Sequence, residues 1–362
     1  MVPFQILRED GTVAPGERAP DLGRDTLLRM FRTMVLGRTL DDRLITLQRQ
    51  GRIGFYGEAR GQEAAIVGSA AALDDGDWVL PALRESGVAL YRGYEMRAYV
   101  AQVMGNANDL LKGRQLSCHY GDRTVNYVPM SSCVGTQIPH AVGAAIAARI
   151  LGHKTIAIGY LGDGATSTQD FHVAMNFAGV YRAPVILFCN NNQFSISVPV
   201  ANQTASATIA QKAEAYGIES ARVDGNDVLA CHAATKAAAD KARAGGGPTF
   251  IEALTYRVGA HSSSDDPSRY RDETITVEWR EKKDPIARFS TWLRREGLLS
   301  ETDERKLREE LDAAVREAIA AEEAVGPPAL DTLITDVYAE PPWHLREQHE
   351  ALVRHRHSKE KR

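Results

Sequence analysis

Cysteine is scarce in this sequence. Cys118, Cys133, Cys189 and Cys231 are the four it has among 362 residues, and no two form a C-x-x-C pair. A disulfide framework is thereby excluded, and the four read as reduced thiols of a core or a site wall. Cationic excess is missing too: 43 Lys and Arg against 47 Asp and Glu give a net charge of −4, which leaves no basic footprint for nucleic acid. No apolar run approaches the length of a membrane span. The opening MVPFQILREDGTVAPGERAPDLG has neither a signal-peptide core nor the Arg- and Ser-rich, acid-poor look of a transit peptide. It reads as an extended arm over residues 1–24, and the expected location is cytoplasmic.

What is present suits a globular enzyme subunit, with 44% of residues hydrophobic and 25% charged. The expected organisation is one α/β domain over residues 25–340, with helices included at its C-terminal end, and a charged tail over 341–362. Residues 25–52 are patterned as an amphipathic helix, and 141–151 (AVGAAIAARIL) as a small-residue helix that can pack closely on a sheet. A strand–helix unit spans 220–244, and 249–258 forms a further strand. Polar, Ser- and Asp-rich residues 257–284 read as a long loop, and long loops in compact domains are often functional. Ser300 opens a helix with Leu307, Leu311 and Val315 on one face, ended by Gly326-Pro327-Pro328. There is no internal repeat.

Residues 155–197, TIAIGYLGDGATSTQDFHVAMNFAGVYRAPVILFCNNNQFSIS, carry the strongest signal. Two short Ile-, Val-, Leu- and Phe-rich runs have the character of buried parallel strands. Between them Phe171, Ala174, Met175 and Ala178 form a helical face, with Gly179 as a stop and Thr166 and Gln169 at capping-box spacing. This is one βαβ unit, and its crossover brings Asp163 and Asn192 to the carboxyl edge of adjacent parallel strands. One carboxylate and one neutral amide make half of a hard-cation site. Mg²⁺ favours such sparse sets because phosphate oxygens and water complete its octahedron. Gly162 and Gly164 let backbone N–H groups approach a phosphate, and the helix start beyond favours an anion. The local expectation is a Mg²⁺-bridged diphosphate. A Gly-Asp-Gly alone is more often a plain turn.

Gly-Asp-Gly first and Asn-Asn last, one helix and one strand apart, resembles the thiamin-diphosphate-binding motif. GQEAAIVGSAAAL (61–73), ALRESG (82–87), GRQLSCHYG (113–121), SSCVGTQIPHAVGAA (131–145), RVDGND (222–227) and IEALTYRVGAHSSSDDPSRYR (251–271) extend the likeness. Together they resemble the α subunit of 2-oxoacid dehydrogenase E1 components, over nearly the whole chain. HYG after GRQ, and the Ser-Ser opening of SSCVGTQ, favour the branched-chain branch over the pyruvate branch. The resemblance implies a parallel-sheet thiamin-diphosphate fold with helices on both faces.

It also implies roles. Asp163, Asn192 and the Phe194 carbonyl would ligate Mg²⁺. Gly162, Gly164, Ala165 and Ile196 would line the cofactor, Arg84 would clamp its diphosphate, and Val134 would be the apolar wedge that bends it. His261 would assist acyl transfer to a lipoyl arm, with Ser132 beside the cofactor as a second catalytic candidate. Ser131, the Cys133 carbonyl, Thr136 and Gln137 match a structural K⁺ site. Ser262 matches a phosphorylated position of relatives, whereas Asp272 stands at the second such position. Leu83, preceded by Ala82, replaces a usual aromatic residue, and Asn190 stands where relatives often have Arg. These departures imply a weaker hold on the cofactor or a larger, less aromatic pocket.

Thiamin catalysis needs a carboxylate on the aminopyrimidine ring, and in this class it comes from a second α/β domain for which the chain is too short. The resemblance therefore implies a β subunit, an α2β2 assembly and docking on a lipoyl-bearing E2 acyltransferase. The implied activity is oxidative decarboxylation of a branched 2-oxoacid. Pyruvate or acetoin is the alternative substrate, and an α-like scaffold without catalysis is the alternative of another class.

Overall fold

In the computed structural model, which describes residues 2–335 and 337–360, a five-stranded parallel sheet forms the centre. Its strands are β1 (Trp78–Leu80), β2 (Ala157–Gly162), β3 (Val185–Asn191), β6 (Glu219–Asp224) and β7 (Thr249–Leu254), in the order β1-β2-β3-β7-β6. Two-residue strands β4 (Phe194–Ser195) and β5 (Val198–Pro199) make a separate antiparallel hairpin just after β3. Alternate residues of each central strand enter different cores. Ile158, Tyr160, Ile186 and Phe188 face one, and Ala157, Leu161, Val185 and Leu187 face the other. Burial on both sides explains why these strands read as continuous apolar runs rather than alternating ones.

Helices Arg24–Arg49, Glu63–Ala71 and Val228–Arg243 supply buried residues to the first core, and Gln137–Ile150 and Gln169–Val180 to the second. Gly68 permits close helix packing, because a Cβ there would lie 2.5 Å from the Val228 carbonyl oxygen. The βαβ unit forms as expected: β2 and β3 pair in parallel, with Gly162 opposite Asn190.

Several expectations change in detail. The helix cap is Thr168, whose Oγ1 accepts from Phe171 N at 3.3 Å. Thr166 lies within a 3₁₀ turn, Asp163–Ser167, and donates to the Asp163 carbonyl at 2.8 Å. The turn absorbs the residues between strand and helix, so the capping-box spacing was met in the wrong frame.

Residues 257–284 are not one loop. A helix, Glu273–Lys282, is capped by Asp272 through Thr274 N at 2.8 Å, and Trp279 stacks on Tyr256 with ring centroids 5.4 Å apart. Its polar composition hid a helix held by a cap, by that aromatic contact and by Thr276 Oγ1, 3.0 Å from the Tyr256 hydroxyl. Strand β7 ends at Leu254, four residues early, although its backbone continues to bond the β3 exit through Thr255 N and Asn191 O at 2.9 Å. The arm is docked: Phe4 bridges Val223, and Asp227 Oδ2 accepts from Ile6 N at 2.7 Å and Leu7 N at 2.6 Å. The charged C-terminal segment contains a helix, Trp343–Glu360.

Candidate active site

The carboxyl edge of β2 and β3 opens into a cleft of about 530 Å³. Asp163 is the first residue beyond β2 and is almost wholly buried. Burial pushes its carboxyl above the usual range, while Gln203 Nε2, donating to Oδ2 at 2.7 Å, pulls it back. Beside it Asn192 donates through Nδ2 to Gln62 Oε1 at 3.3 Å.

The chain then bends sharply, with Gln193 (φ 76°) and Ile196 (φ 53°) in the left-handed region. Such strain in non-glycine residues persists only where neighbours enforce it, and it gathers at functional sites. Arg257 is the enforcer. Its buried guanidinium donates to the Phe194 carbonyl at 3.2 Å, the Ile196 carbonyl at 2.6 Å and the Tyr270 hydroxyl at 2.7 Å.

The opposite wall comes from distant segments. Arg84 donates through Nη1 to the Glu58 carbonyl and through Nη2 to the His261 carbonyl at 2.6 Å. Burial and the nearby Arg257 bring its guanidinium down to about 10. Burial, with Arg84 and Arg257, pushes the His261 imidazole down to about 4, so it is neutral at pH 7. Arg84 Nη2 lies 3.4 Å from His261 Nδ1, which assigns Nδ1 as acceptor and leaves the proton on Nε2. Glu85 is buried and its carboxyl is raised by that burial; its oxygens accept from Asn190 Nδ2 at 2.7 Å and from Arg84 N at 3.1 Å. His119 Nε2 and Ser132 Oγ lie 3.1 Å apart.

Each residue expected from the sequence to touch the cofactor lines this single cleft: Arg84, Ser132, Val134, Gly162, Asp163, Gly164, Ala165, Asn192, Phe194, Ile196 and His261. Of the expected K⁺ ligands, Ser131 and Gln137 line it. Ser131 Oγ accepts from Cys133 N at 3.2 Å, the Cys133 carbonyl accepts from Thr136 N at 3.3 Å, and Gln137 Nε2 donates to the Tyr160 carbonyl at 2.8 Å.

Sequence reasoning passed over Gln62, Glu85, His119 and Arg257, which also line the cleft. Gln62, Glu85 and His119 lie inside quoted motifs but carried no separate signal. Arg257, also within a quoted motif, had one: a charged residue near the end of the expected strand over 249–258.

The lining suits a metal-bridged polyanion. Among the described residues, Gln62 Nε2 and Arg257 Nε are buried donors without a partner, and Asn190 Oδ1 is a buried acceptor without one. No cluster of three or more His, Cys, Asp and Glu suited to a metal occurs among the described residues. A cation beside Asp163 would therefore rely on amide, carbonyl and ligand oxygens.

Residues 31–330 match the family model for the dehydrogenase E1 component. The chain is 42% identical over 352 residues to the human mitochondrial 2-oxoisovalerate dehydrogenase subunit alpha, covering 97% of this chain and 79% of that protein. Identity is 40% over 351 residues to Arabidopsis thaliana subunit alpha 2 (97% and 74%), and 39% over 353 residues to the Dictyostelium discoideum subunit (97% and 80%). All three are mitochondrial by name, which overturns the cytoplasmic expectation. By its sequence over most of its length, and with a sheet edge that gathers the motif residues, the chain belongs to the dehydrogenase E1 component family.

Proposed function

We propose that this chain is the α subunit of a thiamin-diphosphate-dependent, branched-chain 2-oxoacid dehydrogenase E1 component. The observation that carries the reading is the meeting of Asp163 and Asn192 with Arg84, Arg257 and His261 around one cleft. Asp163, Asn192 and the Phe194 carbonyl would hold Mg²⁺; that carbonyl already accepts from Arg257 and has a second lone pair. Arg84 would hold the diphosphate, and Val134 and Ile196, both solvent-exposed at the cleft, would meet the apolar part of the cofactor. K⁺ at Ser131, Cys133, Thr136 and Gln137 is the finer part of the proposal.

When bound, thiamin diphosphate supplies the electron sink for decarboxylation. The chain orients the reactants and manages protons. Neutral His261, with its proton on Nε2, can donate a hydrogen bond from that nitrogen to a group on which negative charge develops during acyl transfer to a lipoyl arm. Arg84, bonded to the His261 carbonyl, ties the anion clamp to the hydrogen-bond donor. Phe55, Leu83, Leu116 and Met130 give the cleft an apolar side suited to an aliphatic acyl chain. The activating carboxylate for the aminopyrimidine is assigned to a β subunit, in an α2β2 assembly that delivers the acyl group to a lipoyl-bearing E2.

The test is the copurified α/β pair. It should turn over 3-methyl-2-oxobutanoate faster than pyruvate and gain thermal stability with thiamin diphosphate and Mg²⁺, while the isolated chain decarboxylates neither acid. Preference for pyruvate would refute the substrate class. No thermal shift would favour the non-catalytic scaffold.

A further inference from the structure

A carboxyl that is not part of the cleft lining is linked, through one short segment, to both Arg84 and the His261 loop. Asp41 sits on the Arg24–Arg49 helix, 4% exposed, facing residues 56–59, which have no regular secondary structure. Its two oxygens are used separately: Oδ1 accepts from the Tyr56 hydroxyl at 2.8 Å and Oδ2 from Ala59 N at 2.9 Å. Both ends of this four-residue segment are thereby fixed to the helix. The Tyr56 hydroxyl also lies 3.0 Å from the Tyr99 hydroxyl, which lies 3.2 Å from Ser86 Oγ. That places a second line of hydrogen bonds behind the Arg84-Glu85 turn.

The segment then grips the active site twice. The Glu58 carbonyl, between the two tethered residues, accepts from Arg84 Nη1. At Tyr56 the backbone pairs with the loop that carries His261: Tyr56 N donates to Ser263 Oγ at 3.2 Å, and Ser263 N donates to the Tyr56 carbonyl at 3.0 Å. Burial and the adjacent Glu58 push the Asp41 carboxyl up to about 7, and the Tyr56 and Ala59 bonds offset part of that penalty. A buried carboxyl with each oxygen bonded to the same short segment has a positional task.

We infer that Asp41 is a positioning residue: through residues 56–59 it fixes the Arg84 guanidinium and the His261 loop relative to each other. The inference rests on the proposed roles of Arg84 and His261. A carbonyl acceptor steers a guanidinium only as well as its own backbone is held, and small misplacements at a site are costly.

The test uses the α/β pair with Asp41→Asn, which keeps the shape of the side chain but replaces one acceptor oxygen with a donor amide. Thr33→Val on the same helix removes a buried hydrogen bond, to the Arg29 carbonyl, that does not touch the segment. It serves as the structural control. Three quantities are read: the calorimetric Kd for thiamin diphosphate with Mg²⁺, the apparent KM for cofactor against that for 2-oxoacid, and the rate of limited proteolysis within residues 262–271.

For Asp41→Asn the Kd and cofactor KM should rise roughly tenfold, with an unchanged oxoacid KM and faster loop cleavage. Thr33→Val should lower the melting temperature alone. Should Asp41→Asn fail to fold, Tyr56→Phe, which deletes one tether, should weaken the cofactor about threefold. The inference is overturned if the folded Asp41 variant has wild-type Kd and cleavage, or if Asp41→Asn does not fold and Tyr56→Phe is silent. A wild-type pair that binds no thiamin diphosphate would sink the functional reading instead, and loop cleavage would still judge Asp41.

Discussion

The two walls of the cleft are built on opposite principles. One wall, Gly162 to Ala165 with Asn190 to Ile196, comes from a single βαβ unit and meets because adjacent parallel strands end together. It offers one carboxylate, neutral amides and bare backbone, a surface for a hard cation. The other wall draws Arg84, His119, Ser132 and His261 from segments far apart in the chain, and Arg257, bonded to the Phe194 and Ile196 carbonyls, spans the two. It offers the cationic guanidiniums and the imidazoles. On the proposed reading, local topology sets where a metal would sit, and long-range packing sets where an anion and a hydrogen-bond donor would sit beside it. If the walls divide the work in this way, damage to each should fail differently.

The largest effect should come from the local wall. Asp163→Ala removes the single carboxylate of that wall and should abolish cofactor-dependent turnover of the α/β pair while circular dichroism shows the fold intact. Unaltered thiamin diphosphate affinity in calorimetry would break the comparison.

On the distant wall, His261→Ala should spare binding and damage chemistry. Loss of an interaction made mainly in the transition state lowers turnover without a matching loss of affinity. The overall lipoyl-acylation rate should fall about 10²–10⁴-fold, with cofactor affinity within about threefold of wild type. A parallel loss of affinity would mean that His261 only pins its loop.

The smallest effect sharpens the electrostatics of that wall. His261 is held near 4 when folded against an ordinary value of 6.5. Between these values the unfolded chain binds the proton and the folded chain does not, so stability rises with pH across this window and is lost as pH falls through it. Denaturant titrations from pH 7 to pH 4 should show a shallower decline for His261→Gln than for wild type. Equal slopes would place the imidazole in an ordinary solvated setting.

The same division explains what could be read in advance. Asp163 and Asn192 were legible because a strand, a helix and a second strand leave a periodic record, and crossover handedness does the rest. Arg257 was passed over because its importance lies in holding the carbonyls of Phe194 and Ile196, residues some sixty positions away. Helix Glu273–Lys282 was read as loop because its support, Trp279 on Tyr256, is a tertiary contact. Thr168 displaced Thr166 as the cap because a 3₁₀ turn shifted the frame.

By itself, then, the sequence determined the parallel α/β core, the strand ends that carry Asp163 and Asn192, and the likeness to the family, since short-range periodicity and motif order are written along the chain. Only the tertiary structure decided that Asp41 bonds both ends of residues 56–59 and that this segment in turn bonds Arg84, behind His261. Partners of that kind are selected by where separate segments pack against one another, and no local pattern records it.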